Sequence, residues 1–248
     1  MCDALNDLDI GQLAHVSVNE ELAPGENFIR EDDPADSFFN VTSGTVRLFK
    51  SLPDGRRQIT GFATVGHFLG LAVSTSCTVQ PEPISGQLRA VGFASAEHLL
   101  GLATTTSYAF SAEAIDNVGV CRFSRSRLRL LLNDFPVLEH RMVQIASAEL
   151  AAAQEQMLLL GRKTAHERLA SFLMTLASAA LPPCSSPRTH LHLPMARSDI
   201  ADYLGLTIET VSRTFTRLKT ERFIELASAS EIRILAPDAL QALARGDG

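Results

Sequence analysis

The N-terminal half of the chain alternates turn-forming residues with short apolar runs. Pro24-Gly25, Ser43-Gly44 and Pro53-Asp54-Gly55 each favour a turn. In Thr45–Lys50, apolar and polar side chains nearly alternate, as in a half-buried strand. The predicted strands are Asn27–Arg30, Phe38–Thr42, Thr45–Lys50, Arg57–Phe62, Ala109–Ile115 and Val118–Phe123. Turn signals spaced about ten residues apart favour an antiparallel sandwich or barrel over βαβ units.

An internal repeat lies between the fourth and fifth of these strands. Residues Phe62–Thr75 recur 31 positions later as Phe93–Thr106, with eight of the 14 positions identical. A solenoid needs about three copies, so the pattern predicts a local duplication or insertion at about residues 73–106, in a loop that tolerates it. Chance similarity is the alternative.

Residues Phe135–Leu160 predict one long helix, because they contain no glycine and their only proline, Pro136, lies in the first turn. Apolar positions alternate by three and four, the spacing of a coiled-coil seam. The seam residues are Val143, Ala146, Leu150, Ala153, Met157 and Leu160. We expect this seam to pair two chains in a homodimer; burial within a monomer is the alternative.

A second apolar face of the long helix, formed by Leu138, Met142 and Ile145, is expected to rest on the β domain. Gly161 is expected to end the helix, with Arg162–Thr164 as a hinge before a second helix at Ala165–Ala180. The composition of Leu181–Pro187 predicts a loop.

The next segment predicts two short helices joined by a tight turn. The first begins at Ser198-Asp199 and ends at Gly205, with Leu206 as the buried turn residue and Thr207 as the cap of the second helix. Inward-facing residues are Ile200, Ala201 and Leu204 on the first helix, and Val211, Phe215 and Leu218 on the second.

This spacing leaves Glu209, Ser212 and Arg213 together on the outward face of the second helix. All three can hydrogen-bond to base edges in the major groove, as in helix-turn-helix proteins. Arg222–Leu226 and Glu231–Leu235 then predict a hairpin, or wing. The alternative is ordinary surface charge on a helical pair.

Composition narrows the classes of protein. The chain is 46% apolar and 20% charged with a net charge of -6, and no apolar run approaches a transmembrane length. Residues 1–160 carry 11 Lys and Arg against 19 Asp and Glu, whereas residues 161–248 carry 11 against nine. An acidic body with a basic tail suits a two-domain protein whose tail approaches a polyanion.

The acidic stretch from Met1 to Val18 lacks the features of a signal peptide, so we expect a cytoplasmic protein without membrane contact. The four cysteines form no CxxC unit, and free thiols are favoured over two disulfides. No P-loop, nucleophile elbow or HExxH motif is present, which argues against an enzyme.

Residues 20–240 resemble the CRP/FNR superfamily of bacterial transcription regulators. The segments that carry the resemblance are Glu31–Val41, Ser43–Leu48, Gln58–Phe62 and, most specifically, Arg197–Arg213. The resemblance implies an α+β fold: an N-terminal antiparallel β-roll like that of cyclic-nucleotide-binding domains, a long dimerisation helix, and a C-terminal winged helix-turn-helix. We place these domains at residues 1–134, 135–161 and 162–240.

The Glu-x-x-Ser-Arg set is similar to that of the FNR/FixK type, since the CRP type has Arg at the place of Ile208 and Gly at the place of Ser212. The resemblance implies binding to palindromes with TTGA-type half-sites, in which Glu209, Ser212 and Arg213 contact the bases. It implies RNA polymerase as a partner at promoters. It also implies phosphate contacts from Arg197, Ser198, Thr207 and Thr210.

The resemblance also indicates what the β domain lacks. Only Cys2 and Cys121 are available where an FNR cluster needs several cysteines, and Tyr108-Ala109 replaces the Arg-Ser pair that binds a cyclic phosphate in the CRP type. Haem ligation by His67, His98 or Cys77 and redox control by Cys184 are weaker alternatives.

The sequence therefore predicts a FixK-like activator without cofactor or metal, acting on microaerobic respiration or nitrogen-fixation genes. A regulator gated by a small effector or haem in the β-roll is the competing prediction.

Overall fold

The computed structural model describes residues 17–71, 73–75, 106–134, 136–178 and 188–246. They form two compact units, and the boundary between the units falls inside the long helix, after Leu150. The first unit comprises residues up to Lys50 and from Phe62 to Leu150. The second comprises Ser51–Gly61 and the chain from Ala151 onward.

The described strands up to Ser124 include two four-stranded sheets, whose strands are short and paired antiparallel. The first sheet has the order β1-β10-β3-β6, formed by Ser17–Leu22, Val118–Ser124, Ser37–Ser43 and Phe68–Leu69. The second has the order β2-β9-β4-β5, formed by Asn27–Ile29, Ser111–Ala114, Val46–Ser51 and Arg57–Ala63. A separate ribbon pairs β7, Val73–Thr75, with β8, Thr106–Tyr108.

The apolar positions of these strands form the core of the first unit. Ile29, Val41, Val46 and Ala112 have no exposed surface. In β4, Val46 and Leu48 contribute to this core, and Phe49 on the opposite face is buried as well, so the strand is covered on both faces there. This architecture confirms the predicted antiparallel β domain. Strands β1, β6, β7 and β8 were not predicted, and the fifth predicted strand, Ala109–Ile115, corresponds to β9.

Two helices follow the strands. The first, α1, spans Arg125–Asp134, and the long helix, α2, spans Pro136–Arg162. Leu138 and Met142 are buried in a cluster with Phe38, Phe68 and Leu128, and Ile145 packs against it. This confirms that the second apolar face of the long helix rests on the β domain.

The prediction that Gly161 ends the long helix is wrong. The helix continues through Gly161 to Arg162, so the hinge before the next helix shortens to Lys163-Thr164. A glycine inside a helix costs only about 1 kcal/mol relative to alanine, so it does not have to end the helix.

The second unit consists of four more helices and a small sheet. The helices are α3 (Ala165–Ser178), α4 (Arg197–Leu204), α5 (Ile208–Thr220) and α6 (Pro237–Arg245). The sheet has the order β11-β13-β12, formed by His190–His192, Glu231–Ile234 and Ile224–Leu226. Strands β12 and β13 confirm the predicted wing, whereas α6 was not predicted. Helix α3 packs against α6, α5 and α4 through a face that includes Leu169, Phe172 and Leu173.

Several sequence predictions lie outside the described residues. They concern Cys2, Cys77, Cys184, His98 and the second copy of the repeat up to Thr105. The first copy, Phe62–Thr75, includes the last two residues of β5 and the whole of β6 and β7.

Candidate nucleic-acid interface

The turn between α4 and α5 depends on one left-handed residue. Gly205 has φ 62° and ψ 42°, and its amide donates to the carbonyls of Ala201 and Asp202. The amide of Leu206 then donates to Ala201 O at 2.9 Å. This is the usual way in which a helix ends at glycine. It confirms that Gly205 stops the first helix; Leu206 is half-buried in the turn.

The start of α5 is capped by Thr207, as the sequence predicts. Its hydroxyl accepts a hydrogen bond from the amide of Thr210 at 3.2 Å. The first helix begins one residue earlier than predicted, at Arg197, and Asp199 Oδ2 accepts from the amide of Ala196 at 3.0 Å. Each helix therefore has a defined N-terminus, which fixes the direction in which its side chains project.

All six predicted inward-facing side chains have 2% or less of their surface exposed, and Ile200, Leu204, Val211 and Leu218 have none. Phe215 and Ala201 are each 2% exposed. Because these positions fill one face of each helix, the opposite face of α5 is directed to solvent.

Glu209, Ser212 and Arg213 are all exposed on that opposite face. Arg213 Nε donates to Glu209 O at 3.4 Å, so its side chain lies along the helix toward Glu209. Hydrogen bonds from the backbone amide of Glu209 itself and from Thr207 hold the pKa of the Glu209 carboxyl below its usual range, and the positive charge of Arg213 acts in the same direction. The structure thus presents an ionised acceptor, a hydroxyl and a guanidinium side by side.

The C-terminal half of α5 adds positive charge that the sequence interpretation did not assign to the site. Arg217 and Lys219 are exposed in its last turn, where cations favour the helix dipole. Arg217 Nε donates to Glu221 Oε1 at 2.8 Å, which holds the guanidinium along the helix. The charge of these residues was visible in the sequence, but their spacing did not by itself point to a ligand.

The four predicted phosphate-contacting residues have different environments. Ser198 and Thr207 are exposed at the N-termini of α4 and α5, and Thr210 is half-buried, with its hydroxyl oxygen 3.1 Å from that of Thr207. The amide-rich N-terminus of a helix is a favourable place for phosphate.

Arg197 is more enclosed than a simple phosphate contact requires. Its guanidinium carbon lies 3.4 Å from the centre of the Phe215 ring, and Nη2 donates to Ala229 O in the wing turn at 3.3 Å. Its Nη1 atom is buried without a hydrogen-bond partner among the described residues. Burial lowers the pKa of this guanidinium from its usual value.

The predicted seam of α2 is largely uncovered in the single chain. Leu150 exposes 54% and Met157 65% of their surface; Ala153 is exposed, and Val143, Ala146 and Leu160 are half-buried. Leu158 beside them is 50% exposed. Large apolar side chains at this exposure are typical of a surface that packs against a partner.

The β domain does not fit a cyclic phosphate at the place that the resemblance indicates. Tyr108 there is buried, its hydroxyl donates to Ser37 O at 2.8 Å, and the amide of Ser37 donates back to it at 3.2 Å. Burial raises the pKa of this phenol. A neutral, internally bonded tyrosine offers no charge to a phosphate, so this position does not supply the phosphate partner of the CRP type.

Metal ligands are likewise not gathered in the described part of the chain, where no three His, Cys, Asp or Glu side chains lie close enough to hold an ion. Nor does any helix in the described ranges combine the length and the apolarity that crossing a bilayer requires.

Comparison with known proteins gives the same two-part organisation. Residues 167–243 match the Crp-like helix-turn-helix domain family, and residues 19–95 match the cyclic nucleotide-binding domain family. The transcriptional activatory protein AadR of Rhodopseudomonas palustris is 37% identical over 244 residues, covering 98% of this chain and 88% of AadR. The nitrogen fixation regulation protein FixK of Bradyrhizobium diazoefficiens is also 37% identical, over 98% of this chain and 89% of FixK.

Solved structures agree with these relatives. FixK2 from Bradyrhizobium japonicum superposes with a TM-score of 0.72 and 32% identity, covering 92% of this chain and 97% of FixK2. A CooA mutant from Carboxydothermus hydrogenoformans, at 16% identity and a TM-score of 0.67 over 94% of this chain and 90% of CooA, shares the fold. The chain therefore belongs to the CRP/FNR superfamily and is a DNA-binding transcription activator of the FNR/FixK type.

Proposed function

We propose that the protein acts as a homodimer that reads a TTGA-type palindrome through Glu209, Ser212 and Arg213. The observation that carries this proposal is the shared exposure of these three side chains on α5, opposite a fully buried apolar face. A helix held this way can enter the major groove with its first two turns against base edges.

The chemistry of the three side chains suits a G·C pair inside such a half-site. A guanidinium donates two hydrogen bonds to guanine O6 and N7, a carboxylate accepts from cytosine N4, and a serine hydroxyl adapts to either. The lowered pKa of Glu209 supports this assignment, because only the ionised carboxylate is purely an acceptor. Without a hydrogen bond from cytosine, the same carboxylate would be repelled by the DNA phosphates.

Contacts to the phosphate backbone are proposed for Ser198, Thr207, Thr210 and Arg197. The first three lie at or next to helix N-termini, where backbone amides and hydroxyls together bind an oxyanion. Arg197 Nη1 is buried without a hydrogen-bond partner among the described residues, so this guanidinium would have to move away from Phe215 to donate to a phosphate oxygen. These contacts would set the register of α5 and carry no sequence information of their own.

Two-fold pairing is proposed for the seam of α2. The exposed Leu150 and Met157 are seven residues apart, so both return to one side of the helix and can pack against their copies in a second chain. A dimer of this kind places two recognition helices on half-sites about one helical turn apart. In this arrangement residues 1–134, 135–161 and 162–240 serve as sensory-type, dimerisation and DNA-binding domains.

The biological assignment follows the named relatives. We propose that the protein activates microaerobic respiration or nitrogen-fixation genes in the cytoplasm, together with RNA polymerase and without a resident cofactor. Its similarity to the nitrogen fixation regulation protein FixK supports this assignment.

A binding titration by fluorescence anisotropy tests the central proposal. The full chain is titrated at physiological salt with a labelled TTGA palindrome and with a scrambled duplex of equal composition. We expect the palindrome to bind at least about a thousandfold more tightly, as specific sites do. Arg245→Gln, which changes an exposed arginine of α6, should bind like the wild type. Equal affinity for the two duplexes would overturn the proposal.

A further inference from the structure

Arg168 connects the ends of two helices in the second unit. Its Nη2 donates to Leu160 O in the last turn of α2, and its Nη1 donates to Leu204 O at the end of α4, each at 2.8 Å. Its Nε donates to Lys163 O, in the linker between α2 and α3, also at 2.8 Å. One planar side chain thus bonds to three backbone carbonyls from three places in the chain.

These carbonyls are ones that helix geometry leaves without a partner. The last four carbonyls of a helix accept no intrahelical bond, and they carry the partial negative charge of the helix dipole. A guanidinium between two such ends satisfies both and is attracted to both. Its donors point in fixed directions in one plane, so it also fixes the angle between the helices; the single ammonium of lysine cannot do this.

Neighbouring contacts join the same two segments. Gln156 Nε2 donates to Tyr203 O at 3.0 Å. A side-chain carbon at Gly205 would lie 3.3 Å from Leu160 Cδ2 and 3.5 Å from Arg168 Nη1, so α2 and the turn before α5 approach closely at this point. The last two turns of α2 are therefore attached directly to the end of α4 by side-chain contacts.

We propose that Arg168 is a positioning residue that fixes the direction of the recognition helix α5 relative to the dimerisation helix α2. Because α2 carries the proposed two-fold seam, this angle determines how far apart the two copies of α5 lie. Arg168 therefore selects the spacing between half-sites, while Glu209, Ser212 and Arg213 select the bases. This inference rests on the proposed function.

Operators of different spacing test the inference. Each base pair inserted between half-sites separates them by about 3.4 Å and rotates them by about 35°, so a rigid dimer should bind the lengthened palindrome poorly. We expect Arg168→Lys and Arg168→Gln to bind the correctly spaced palindrome about tenfold more weakly, the factor for one charged hydrogen bond. They should lose most of the wild-type penalty for the inserted base pair. Gln156→Ala should show the same change to a smaller extent.

A duplex with a single half-site separates positioning from folding. The Arg168 variants should bind it within about twofold of the wild type, because the base-reading face of α5 is intact. The control variant Arg245→Gln should behave as wild type on every duplex. The inference is overturned if the variants keep the wild-type spacing penalty, or if they lose half-site affinity as strongly as palindrome affinity.

Trypsin supplies a measurement that needs no DNA. Arg162 and Lys163 lie beside the carbonyls that Arg168 holds, so their peptide bonds should be cleaved about tenfold faster in Arg168→Lys than in Arg245→Gln. Equal cleavage rates would refute the claim that Arg168 holds the ends of α2 and α4 together. If the wild type fails to distinguish the palindrome from the scrambled duplex, the proposed function fails, and this rate still decides whether Arg168 holds the two helix ends together.

Discussion

Replacing Leu150 by alanine should weaken self-association of the protein by a predictable amount. Leu150 exposes 54% of its surface in the single chain. Burying a whole leucine side chain is worth about 1.5–3 kcal/mol, so covering the exposed part contributes about 1 kcal/mol in each subunit. A symmetric dimer loses two copies, or about 2 kcal/mol, which is roughly a thirtyfold rise in the dimer dissociation constant.

Sedimentation equilibrium over a range of protein concentrations measures this change, and Leu130→Ala is its matched control. Leu130 is 68% exposed on α1, outside the predicted seam. The control thus makes the same chemical change at a comparably exposed helical position, and alanine is a good helix former at both sites. The seam hypothesis is refuted if Leu150→Ala and Leu130→Ala give the same dissociation constant.

Three further expectations concern the DNA-binding unit. Arg213→Ala should cost about 1–3 kcal/mol of discrimination against a changed G·C pair while binding to scrambled DNA changes little; an unchanged preference in competition titrations would remove Arg213 from base reading. Arg197→Ala should lower the slope of log K against log salt by about 0.9, one phosphate contact, whereas weaker binding at an unchanged slope would assign Arg197 to packing on Phe215 alone. Gly205→Ala should lower the free energy of unfolding in urea by about 1–2 kcal/mol, because Gly205 has a positive φ. Gly161→Ala, in open space within α2, should raise this free energy by up to about 1 kcal/mol. Equal effects of the two substitutions would contradict the assigned turn geometry.

The elements that the sequence predicted well have a local signal at both ends. The turn at Pro53-Asp54-Gly55 is an example: Leu52 N donates to Arg56 O at 2.7 Å, and Gly55 has a positive φ. Strand β1 lacks such a signal, because most of its side chains are exposed or half-buried and show no regular alternation. Strand β6 has two residues, too few for any pattern. Its place is set by pairing with β3, which is distant in the chain.

Gly161 shows where a local rule gives the wrong boundary. Glycine is a frequent helix terminator, and the rule succeeds at Gly205, where the backbone is left-handed. At Gly161 the backbone stays helical for one more residue, to Arg162. Arg168 bonds to the carbonyl of the residue before each glycine, Leu160 and Leu204, so this contact does not account for the difference. Two identical residues thus differ in effect, and the rule that glycine terminates helices does not by itself distinguish the two cases.

Helical periodicity made the exposed residues of the site predictable, because it also determines which of their neighbours are buried. Once Val211, Phe215 and Leu218 occupy one face, helical geometry places Glu209, Ser212 and Arg213 on the other. The environment of Arg197 was not predictable, since its partners, Phe215 and Ala229, come from α5 and from the wing turn. Periodicity determines which side of a helix faces solvent, but it carries no information about polar contacts between elements.

The charge of the DNA-binding unit bears on how specificity arises. Residues 161–248 hold 11 basic and nine acidic side chains, and the acid Glu209 lies within the reading face itself. Non-specific affinity comes almost entirely from neutralised phosphates, so a nearly balanced unit binds random DNA weakly. If Glu209 reads cytosine as proposed, it would find no amino group at a wrong sequence and would be left close to the phosphates, which would add a repulsive element against incorrect sites. Under this proposal specific binding would depend on correct base contacts and correct half-site spacing together, so fixing the direction of α5 through Arg168 would matter most in a protein with so little net positive charge.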